Sequence, residues 1–193
     1  PPLALILVLS ALFWTVLAPW SLARGVSSLA PFPLRAAGFV VLVPAALAMS
    51  ALSPAKLLIL LGFVWIADSA AYLAGRAFGR NPLAPTISPG KTWEGVAGAA
   101  LGCLFYAIIC AMLDPGLNAR VAGPVWAPYL GAAAVLCAVS VVGDLFESAL
   151  KRQAGVKDSG SLLPGHGGVL DRIDSVTAAL PVGALLLYSI GAT

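Results

Sequence analysis

Residues 121 to 143 read VAGPVWAPYLGAAAVLCAVSVVG and contain no Asp, Glu, Lys or Arg. An apolar run of about 20 residues is long enough to cross the hydrocarbon core of a bilayer as an α-helix. Four other stretches also lack these charged residues: 1 to 23, 36 to 55, 95 to 113 and 175 to 193. A sixth, from 57 to 75, is interrupted by Asp68 alone. The sequence therefore predicts an all-α fold, a polytopic transmembrane helical bundle.

The predicted bundle has six spans, near residues 3–18, 36–52, 55–78, 94–113, 125–151 and 173–192. The composition agrees, since 60% of the 193 residues are hydrophobic and only 10% are charged, against roughly 25% charged residues in soluble domains. Such low charge excludes a disordered chain. The net charge of +3 is too small a basic excess to indicate a nucleic-acid partner. The cysteines have no CxxC spacing and are predicted to be packing residues: Cys103, Cys110 and Cys137.

The basic residues predict the orientation of these spans. Loops on the cytoplasmic side of a membrane protein carry an excess of Lys and Arg. Two of the 11 basic residues, Lys56 and Arg120, fall in the second and fourth loops. The others fall in the first, third and fifth loops: Arg24, Arg35, Arg76, Arg80, Lys91, Lys151, Arg152, Lys157 and Arg172. We expect these three loops to face the cytoplasm and both ends of the chain to lie outside.

Acidic side chains concentrate between residues 144 and 174. Four polar residues spaced i, i+3, i+4 and i+7 share one face of the fifth helix; they are Asp144, Glu147, Ser148 and Lys151. Asp171 and Asp174 are i, i+3 at the start of the sixth helix. Carboxylates this close repel unless a cation lies between them, and an all-oxygen set suits Mg²⁺. One His and three scattered Cys do not make a usual zinc site.

Between these acidic pairs lies a basic, glycine-rich loop. It contains Lys151, Arg152, Lys157, Arg172, Gly160, Gly165, Gly167 and Gly168. Backbone N–H groups at glycines can approach an anion closely, and the cations neutralise its charge. With the flanking carboxylates, this pattern indicates phosphoryl or nucleotidyl transfer. The alternative is a loop that binds lipid headgroups, in which the carboxylates only pair with neighbouring Lys and Arg.

A second polar run, SPGKTWEG, occupies residues 88 to 95. It is not a P-loop, because the first glycine that G-x-x-x-x-G-K-[ST] requires is replaced by Pro85. Lys91, with Ser88 and Thr92 before a helix N-terminus, is still a candidate phosphate site. The alternative is an S/T-x-x-E-like helix start with an interfacial Trp93.

Three isolated features complete the set of candidates. Asp68 within a span is either part of a site or a structural partner of Arg76. His166, the only histidine, is a candidate general base, loop-ordering residue or phosphate contact. The pairs Gly75-x-x-x-Gly79 and Gly98-x-x-x-Gly102 predict close helix packing, within the chain or within a homodimer.

Three segments together resemble one known family. Residues 148 to 174 read SALKRQAGVKDSGSLLPGHGGVLDRID, and this stretch resembles the signature of the phosphatidate cytidylyltransferases, the CDP-diacylglycerol synthases. Residues 65 to 80, WIADSAAYLAGRAFGR, and 83 to 95, LAPTISPGKTWEG, resemble the middle region of that family. The resemblance covers about 58 to 193 and implies that the chain is roughly the C-terminal two thirds of a full enzyme.

The resemblance implies the reaction CTP + phosphatidate → CDP-diacylglycerol + diphosphate, in the inner membrane of a bacterium with the active site facing the cytoplasm. We expect a single integral-membrane domain, 1–193, in which 1–57 form generic transmembrane helices. The region 58–193 would be catalytic, with cytoplasmic loops 76–94 and 151–172. Partners would be CTP, phosphatidate and the lipid bilayer, and cofactors Mg²⁺ with K⁺ as a second cation.

The resemblance also assigns residues. Asp144 and Asp171 would be the principal metal ligands, with Asp174 a further member of that set, and Lys151 and Arg152 would complete the catalytic group. The expected phosphate-binding residues are Lys91, Ser88, Ser148, Lys157, His166, Gly167, Gly168 and Arg172. Asp68 and Glu147 are further candidates.

Two rival functions would also use acidic residues within a membrane. A CDP-alcohol phosphatidyltransferase would carry D-G-x₂-A-R-x₈-G-x₃-D-x₃-D, which is absent from this sequence. A cation-coupled small membrane transporter would use Asp68 and the acidic pairs as a cation pathway, with charge at the midplane of broken helices.

Overall fold

The computed structural model describes residues 2–24, 31–162 and 167–189, with side chains from residue 38 onward in the second range. The described part is almost entirely helical. Its helices are α1 (Pro2–Leu12), α2 (Ala18–Arg24), α3 (Pro31–Ala51), α4 (Pro54–Phe78), α5 (Trp93–Leu113), α6 (Pro115–Val121), α7 (Trp126–Gln153) and α8 (Leu170–Ser189). A π-helical turn, Phe13–Leu17, joins α1 to α2. Strands β1 (Pro82–Ala84) and β2 (Ser88–Thr92) form an antiparallel hairpin, and a 3₁₀ turn, Gly123–Val125, precedes α7.

Among the described residues, four helical stretches are long and apolar enough to cross a membrane: Pro2–Arg24, Pro54–Phe78, Trp93–Leu113 and Gly123–Gln153. Gly38–Ala51 is a shorter apolar stretch. Large apolar side chains are exposed along several of them, among them Phe39, Leu101 and Phe105, as expected where lipid rather than water surrounds the helix. The chain is therefore an all-α polytopic membrane protein, while the count of six spans stays a prediction.

The helix contacts divide the chain into two compact units. One unit comprises Pro1–Pro54 and Val139–Thr193, and the other comprises Ala55–Ala138. In the first, α8 packs against both α1 and α3, and α1 also packs against α3. Helix α8 is accordingly buried through its middle, with Ser175 and every residue from Thr177 to Ala184 in the core.

The π-helical turn places two aromatic side chains against α7 within the first unit. The rings of Phe13 and Trp14 meet the ring of Phe146 edge to face, at 5.5 and 5.7 Å between centroids. Trp14 is fully buried. On α7, Phe146 lies on the side of the helix opposite Asp144 and Glu147. This aromatic group therefore packs behind the acidic face of that helix.

In the second unit, small residues bring α5 close to α4. A Cβ on Gly102 would lie 2.9 Å from the Cβ of Ala70, and a Cβ on Gly98 would lie 3.0 Å from the carbonyl oxygen of Ala70. Only glycine fits such an approach. The close helix packing predicted for Gly98 and Gly102 is therefore confirmed within a single chain. Tyr106 adds a hydrogen bond from its hydroxyl to the carbonyl oxygen of Ile59, at 3.3 Å.

Candidate active site

The acidic face predicted for the fifth long helix is present on α7. The hydroxyl of Ser148 donates to Oδ1 of Asp144 at 3.4 Å, one turn earlier. Nζ of Lys151 lies 2.6 Å from Oε2 of Glu147, again one turn apart. These contacts follow from helical spacing, because residues four apart are neighbours on a helix surface.

Lys151 also reaches the next helix of the same unit. Its Nζ donates to Oδ1 of Asp171, at the start of α8, at 2.6 Å. The side chains are only 16% exposed for Lys151, 8% for Glu147 and 9% for Asp171. One ammonium thus compensates two buried carboxylates, and removing it would leave like charges in a poorly solvated place.

The loop between α7 and α8 folds onto the same carboxylate. The backbone N–H of Ser159 donates to Oδ2 of Asp171 at 2.9 Å, and the Ser159 hydroxyl donates to the same oxygen at 2.9 Å. The backbone N–H of Gly168 donates to it as well, at 2.7 Å. Asp171 therefore joins both described parts of the loop, one through Ser159 and the other through Gly168, to the first turn of α8.

These donors determine the charge state of Asp171. Burial alone would raise the pKa of its carboxyl, but the Lys151 ammonium and the Gly168 and Ser159 donors stabilise the charged form. The net result is a pKa well below the usual value of 3.8. Asp171 is accordingly a carboxylate at neutral pH.

Two glycines permit these approaches. A Cβ on Gly168 would lie 2.9 Å from the backbone nitrogen of Gly160, so a larger residue would displace the loop from Asp171. A Cβ on Gly143 would lie 2.7 Å from the Cβ of Ala178 and 3.0 Å from the carbonyl oxygen of Asp174. The missing side chain at Gly143 lets α7 and α8 touch beside the Asp144 and Asp174 positions.

The remaining predicted residues of this region lie around the cluster. Oδ1 of Asp174 accepts from the backbone N–H of Ser175 at 2.7 Å. Gly167 adopts a positive φ of 82°, which favours glycine. The basic side chains of Arg152, Lys157 and Arg172 are exposed. His166 lies outside the described residues.

The residues predicted from the second polar run are in the other unit. Ser88 and Lys91 lie on β2 of the hairpin, both half-buried, while Pro89 and Gly90 between them are exposed. Thr92 caps α5, its hydroxyl oxygen accepting from the backbone N–H of Gly95 at 3.1 Å. Asp68 is exposed on α4, and Arg76 on the same helix donates to the hydroxyl of Tyr72 at 2.8 Å.

The donor set of the acidic cluster fits a hard cation. Every candidate ligand is a carboxylate oxygen, and Oε1 of the buried Glu147 accepts no hydrogen bond from any residue that the structure describes. Within residues 2–24, 31–162 and 167–189, no three metal-ligating side chains of the His, Cys, Asp or Glu type gather at one point. Mg²⁺ commonly needs only one or two protein carboxylates and completes its shell with water and substrate phosphates.

Two residues of these regions were not predicted from the sequence as site residues. Ser159 contributes two donors to Asp171, and the nearest sequence pattern is the turn-forming composition of the residues around it, Asp158 to Ser161. The sequence predicts Glu94 only as part of a helix start. Its carboxylate instead accepts from residues 80 and 81, which nothing in a local pattern would show.

Comparison with known proteins gives the family. A family model described as "Cytidylyltransferase family" matches residues 2–190. The chain is 52% identical over 128 residues to a phosphatidate cytidylyltransferase of Pseudomonas aeruginosa, covering 66% of this chain and 45% of that protein. It is 52% identical over 118 residues to the protein of that name from Haemophilus influenzae, covering 61% and 40%. A Thermotoga maritima phosphatidate cytidylyltransferase is 42% identical over 133 residues, covering 68% and 48%.

The match to these relatives is therefore strong but partial, since the chain spans somewhat less than half the length of each. The family model, in contrast, extends over nearly the whole chain, from α1 to the end of α8. The earlier helices, expected from the sequence to be generic, thus fall inside the matched region. The chain belongs to the cytidylyltransferase family.

Proposed function

We propose that this protein makes CDP-diacylglycerol and diphosphate from CTP and phosphatidate, a step of phospholipid biosynthesis. The observation that carries the proposal is the cluster of Lys151, Glu147 and Asp171 beside the glycine-rich loop. The chain is also 52% identical, over 61% to 66% of its length, to two proteins named phosphatidate cytidylyltransferase. The cluster sets two carboxylates against one ammonium, so a divalent cation bound there would balance the remaining negative charge and could bring substrate phosphates to the site.

The proposed reaction is an in-line displacement. A phosphate oxygen of phosphatidate attacks the α-phosphorus of CTP, forming one P–O bond. The bond between the α-phosphorus and its bridging oxygen to the β-phosphorus breaks, and diphosphate leaves with that electron pair. A phosphomonoester is largely ionised at neutral pH, since its second pKa is about 6. No strong general base is needed, so His166 is assigned to phosphate contact.

The described residues divide into two roles. Lys151 and Arg152 stabilise the charge that develops on the phosphates during the reaction. The residues that bind the phosphates around the loop are Lys157, Arg172, Ser148, Gly167 and Gly168. Ser88 and Lys91 of the hairpin bind a substrate phosphate. The exposure of Lys157 and Arg172 supports this assignment, because a soluble nucleotide can reach them.

Mg²⁺ is the proposed cofactor, with K⁺ as a second cation. Asp144 and Asp171 would hold Mg²⁺, with Asp174 a further member of the set that need not bind the ion directly, since Mg²⁺ commonly takes only one or two protein carboxylates. When bound, the ion would neutralise phosphate charge and orient the nucleotide. The all-oxygen donor set supports this choice, as does Oε1 of Glu147, which accepts no hydrogen bond from the described residues. In the structure, Lys151 supplies the positive charge beside Asp171.

The proposed setting is the inner membrane of a bacterium, with the site facing the cytoplasm. The apolar helices place the protein in a membrane, and the relatives above are bacterial. The excess of Lys and Arg in the first, third and fifth loops supports the orientation. A homodimer stays a prediction, since Gly98 and Gly102 pack against α4 of their own chain.

CTP labelled at two different positions shows which of its phosphates is transferred to the lipid. Full-length protein would be incubated with phosphatidate, Mg²⁺ and CTP labelled with ³²P at either the α- or the γ-phosphate. The α-label should enter a chloroform-soluble lipid, and the γ-label should appear as water-soluble diphosphate. Entry of the γ-label into lipid, or of neither label, would overturn the proposal.

A further inference from the structure

The hairpin that carries Ser88 and Lys91 is held at its base by one carboxylate. Oε2 of Glu94 accepts from the backbone N–H groups of Arg80 at 3.1 Å and Asn81 at 3.2 Å. Oε1 of the same group accepts from Nδ2 of Asn81 at 2.6 Å. The backbone N–H of Trp93 closes the arrangement by donating to the carbonyl oxygen of Asn81 at 3.0 Å. Four hydrogen bonds thus join residues 80 and 81 to the first turn of α5.

This carboxylate matters because the hairpin is short. Its strands have only three and five residues, paired at Pro82 with Thr92 and at Ala84 with Ser88. An isolated two-stranded hairpin of this length is marginal in water. Charge-assisted hydrogen bonds are about twice as strong as neutral ones, and Glu94 accepts three of them at the base of the hairpin.

Glu94 does not take part in a capping box at the start of α5. In a capping box the acidic side chain returns to the backbone N–H of the N-cap residue. Here the N-cap is Thr92, which satisfies the N–H of Gly95 by itself. Glu94 is therefore available to hold the chain that enters the hairpin, and Lys91 lies only three residues before it.

We propose that Glu94 is a positioning residue for phosphate binding: by holding Asn81 it fixes the hairpin so that Lys91 and Ser88 present their side chains to a substrate phosphate. This inference rests on the proposed function. The ligand chemistry is a phosphate oxyanion, which the triphosphate of CTP and the headgroup of phosphatidate both supply. Separate KM values for the two substrates distinguish these sources.

An exchange of groups tests the contact. Glu94→Gln keeps the shape of the side chain but replaces one carboxylate oxygen with an NH₂ group. If that NH₂ faces the side-chain amide of Asn81, two donors meet; if it faces the backbone, the N–H groups of residues 80 and 81 lose their acceptor. Asn81→Asp in the same protein restores the pair, because the new Gln amide donates to the new carboxylate while the Gln oxygen accepts from the two backbone N–H groups. Asp114→Asn is the matched control, since Asp114 accepts from the N–H groups of Gly116 and Leu117 at another helix start, where Asn serves as well as Asp.

In full-length enzyme, Glu94→Gln should raise KM for one of the two substrates by about tenfold, the factor that corresponds to one charge-assisted hydrogen bond. The kcat should change little, because the lost contact binds the substrate equally in the ground state and in the transition state. Asn81→Asp with Glu94→Gln should return KM toward the wild-type value. In a background with both Lys91→Ala and Ser88→Ala, Glu94→Gln should have no further effect on KM, because Glu94 acts on the phosphate through these two side chains.

Hydrogen exchange gives a readout independent of activity. Amides of residues 80–92 should exchange faster in Glu94→Gln, and the paired substitution should restore their protection. Wild-type KM for both substrates in Glu94→Gln, or exchange unchanged by that substitution, would overturn the inference. If wild-type protein makes no CDP-diacylglycerol, the proposed function fails and the phosphate role of Glu94 fails with it, while the exchange data still decide whether Glu94 holds the hairpin.

Discussion

Nζ of Lys151 lies 2.6 Å from Oδ1 of Asp171, although the two residues are 20 positions apart and belong to different helices. The same ammonium lies 2.6 Å from Glu147. This bridge joins the acidic face of α7 to the first turn of α8 and encloses the glycine-rich loop between them. The proposed chemistry depends on it, because the loop is held in place by donors to the same Asp171 carboxylate.

Asp171→Asn should lower turnover by about tenfold or more, the usual effect of losing a group that orients a metal site. The amide can neither pair with Lys151 as a charge nor serve as an anionic ligand. Turnover would be measured against Mg²⁺ concentration, with Asp114→Asn as the matched change at an unrelated helix start. Near-normal kinetics for a folded Asp171→Asn protein would reject its role as a ligand.

Lys151→Met should destabilise the first unit, since two largely buried carboxylates would lose their shared cation. Breaking a buried pair by removing one partner costs about 3–5 kcal/mol. The apparent Tm in detergent should fall, and Glu147→Gln in the same protein should recover part of the loss by removing one of the two like charges. Lys157→Met, at an exposed position of the same loop, is the control for stability. An unchanged Tm for Lys151→Met would show that the bridge contributes nothing.

Gly143→Ala and Gly131→Ala should have opposite effects, although both glycines lie on α7. A Cβ on Gly143 would lie 2.7 Å from Ala178, whereas a Cβ on Gly131 would meet nothing within 4 Å. Ala is otherwise favoured over Gly inside a helix by roughly 0.5–1 kcal/mol. We expect lower Tm and lower activity for Gly143→Ala, and equal or higher Tm for Gly131→Ala. Equal behaviour of the two variants would contradict the close approach of α7 to α8.

The lowered pKa of Asp171 predicts a pH window for its contribution to stability. A carboxyl whose pKa is depressed in the folded protein stabilises it above the unfolded value, 3.8, and loses that contribution as the pH falls through the folded value. The difference in Tm between wild type and Asp171→Asn should therefore be constant from pH 8 to pH 5 and shrink below about pH 4. A difference that disappears already between pH 7 and pH 5 would show that the carboxyl is not held in its charged form.

The long helices could be predicted from the sequence because lipid imposes a length and an apolar composition on each. The predicted 55–78 and 94–113 differ by one residue at most from Pro54–Phe78 and Trp93–Leu113. The first helical stretch is longer than predicted, reaching Arg24. It continues past Pro19, a residue that usually disfavours a helix interior, directly after the π-helical turn Phe13–Leu17. The last helix begins at Leu170 rather than 173, where Asp171 is fixed by the loop.

What the sequence could not show depends on contacts between distant residues. The hairpin of β1 and β2 was not predicted, because its strands are short and its base is joined to α5 through Glu94, which accepts from residues 13 and 14 positions earlier. The short helix α6 was also missed, although Asp114 and Pro115 form an ordinary helix start. The pair of Glu147 and Lys151 follows from helical spacing, but the reach of Lys151 to Asp171 requires the packing of α7 against α8.

The most direct test of the central claim is phosphatidate-dependent formation of labelled lipid from labelled CTP by the purified full-length protein with Mg²⁺. The account predicts a chloroform-soluble product that appears only when CTP, phosphatidate and Mg²⁺ are all present, and that falls about tenfold or more in Asp171→Asn. No labelled lipid from folded wild-type protein under these conditions would contradict the assignment of cytidylyl transfer to this chain.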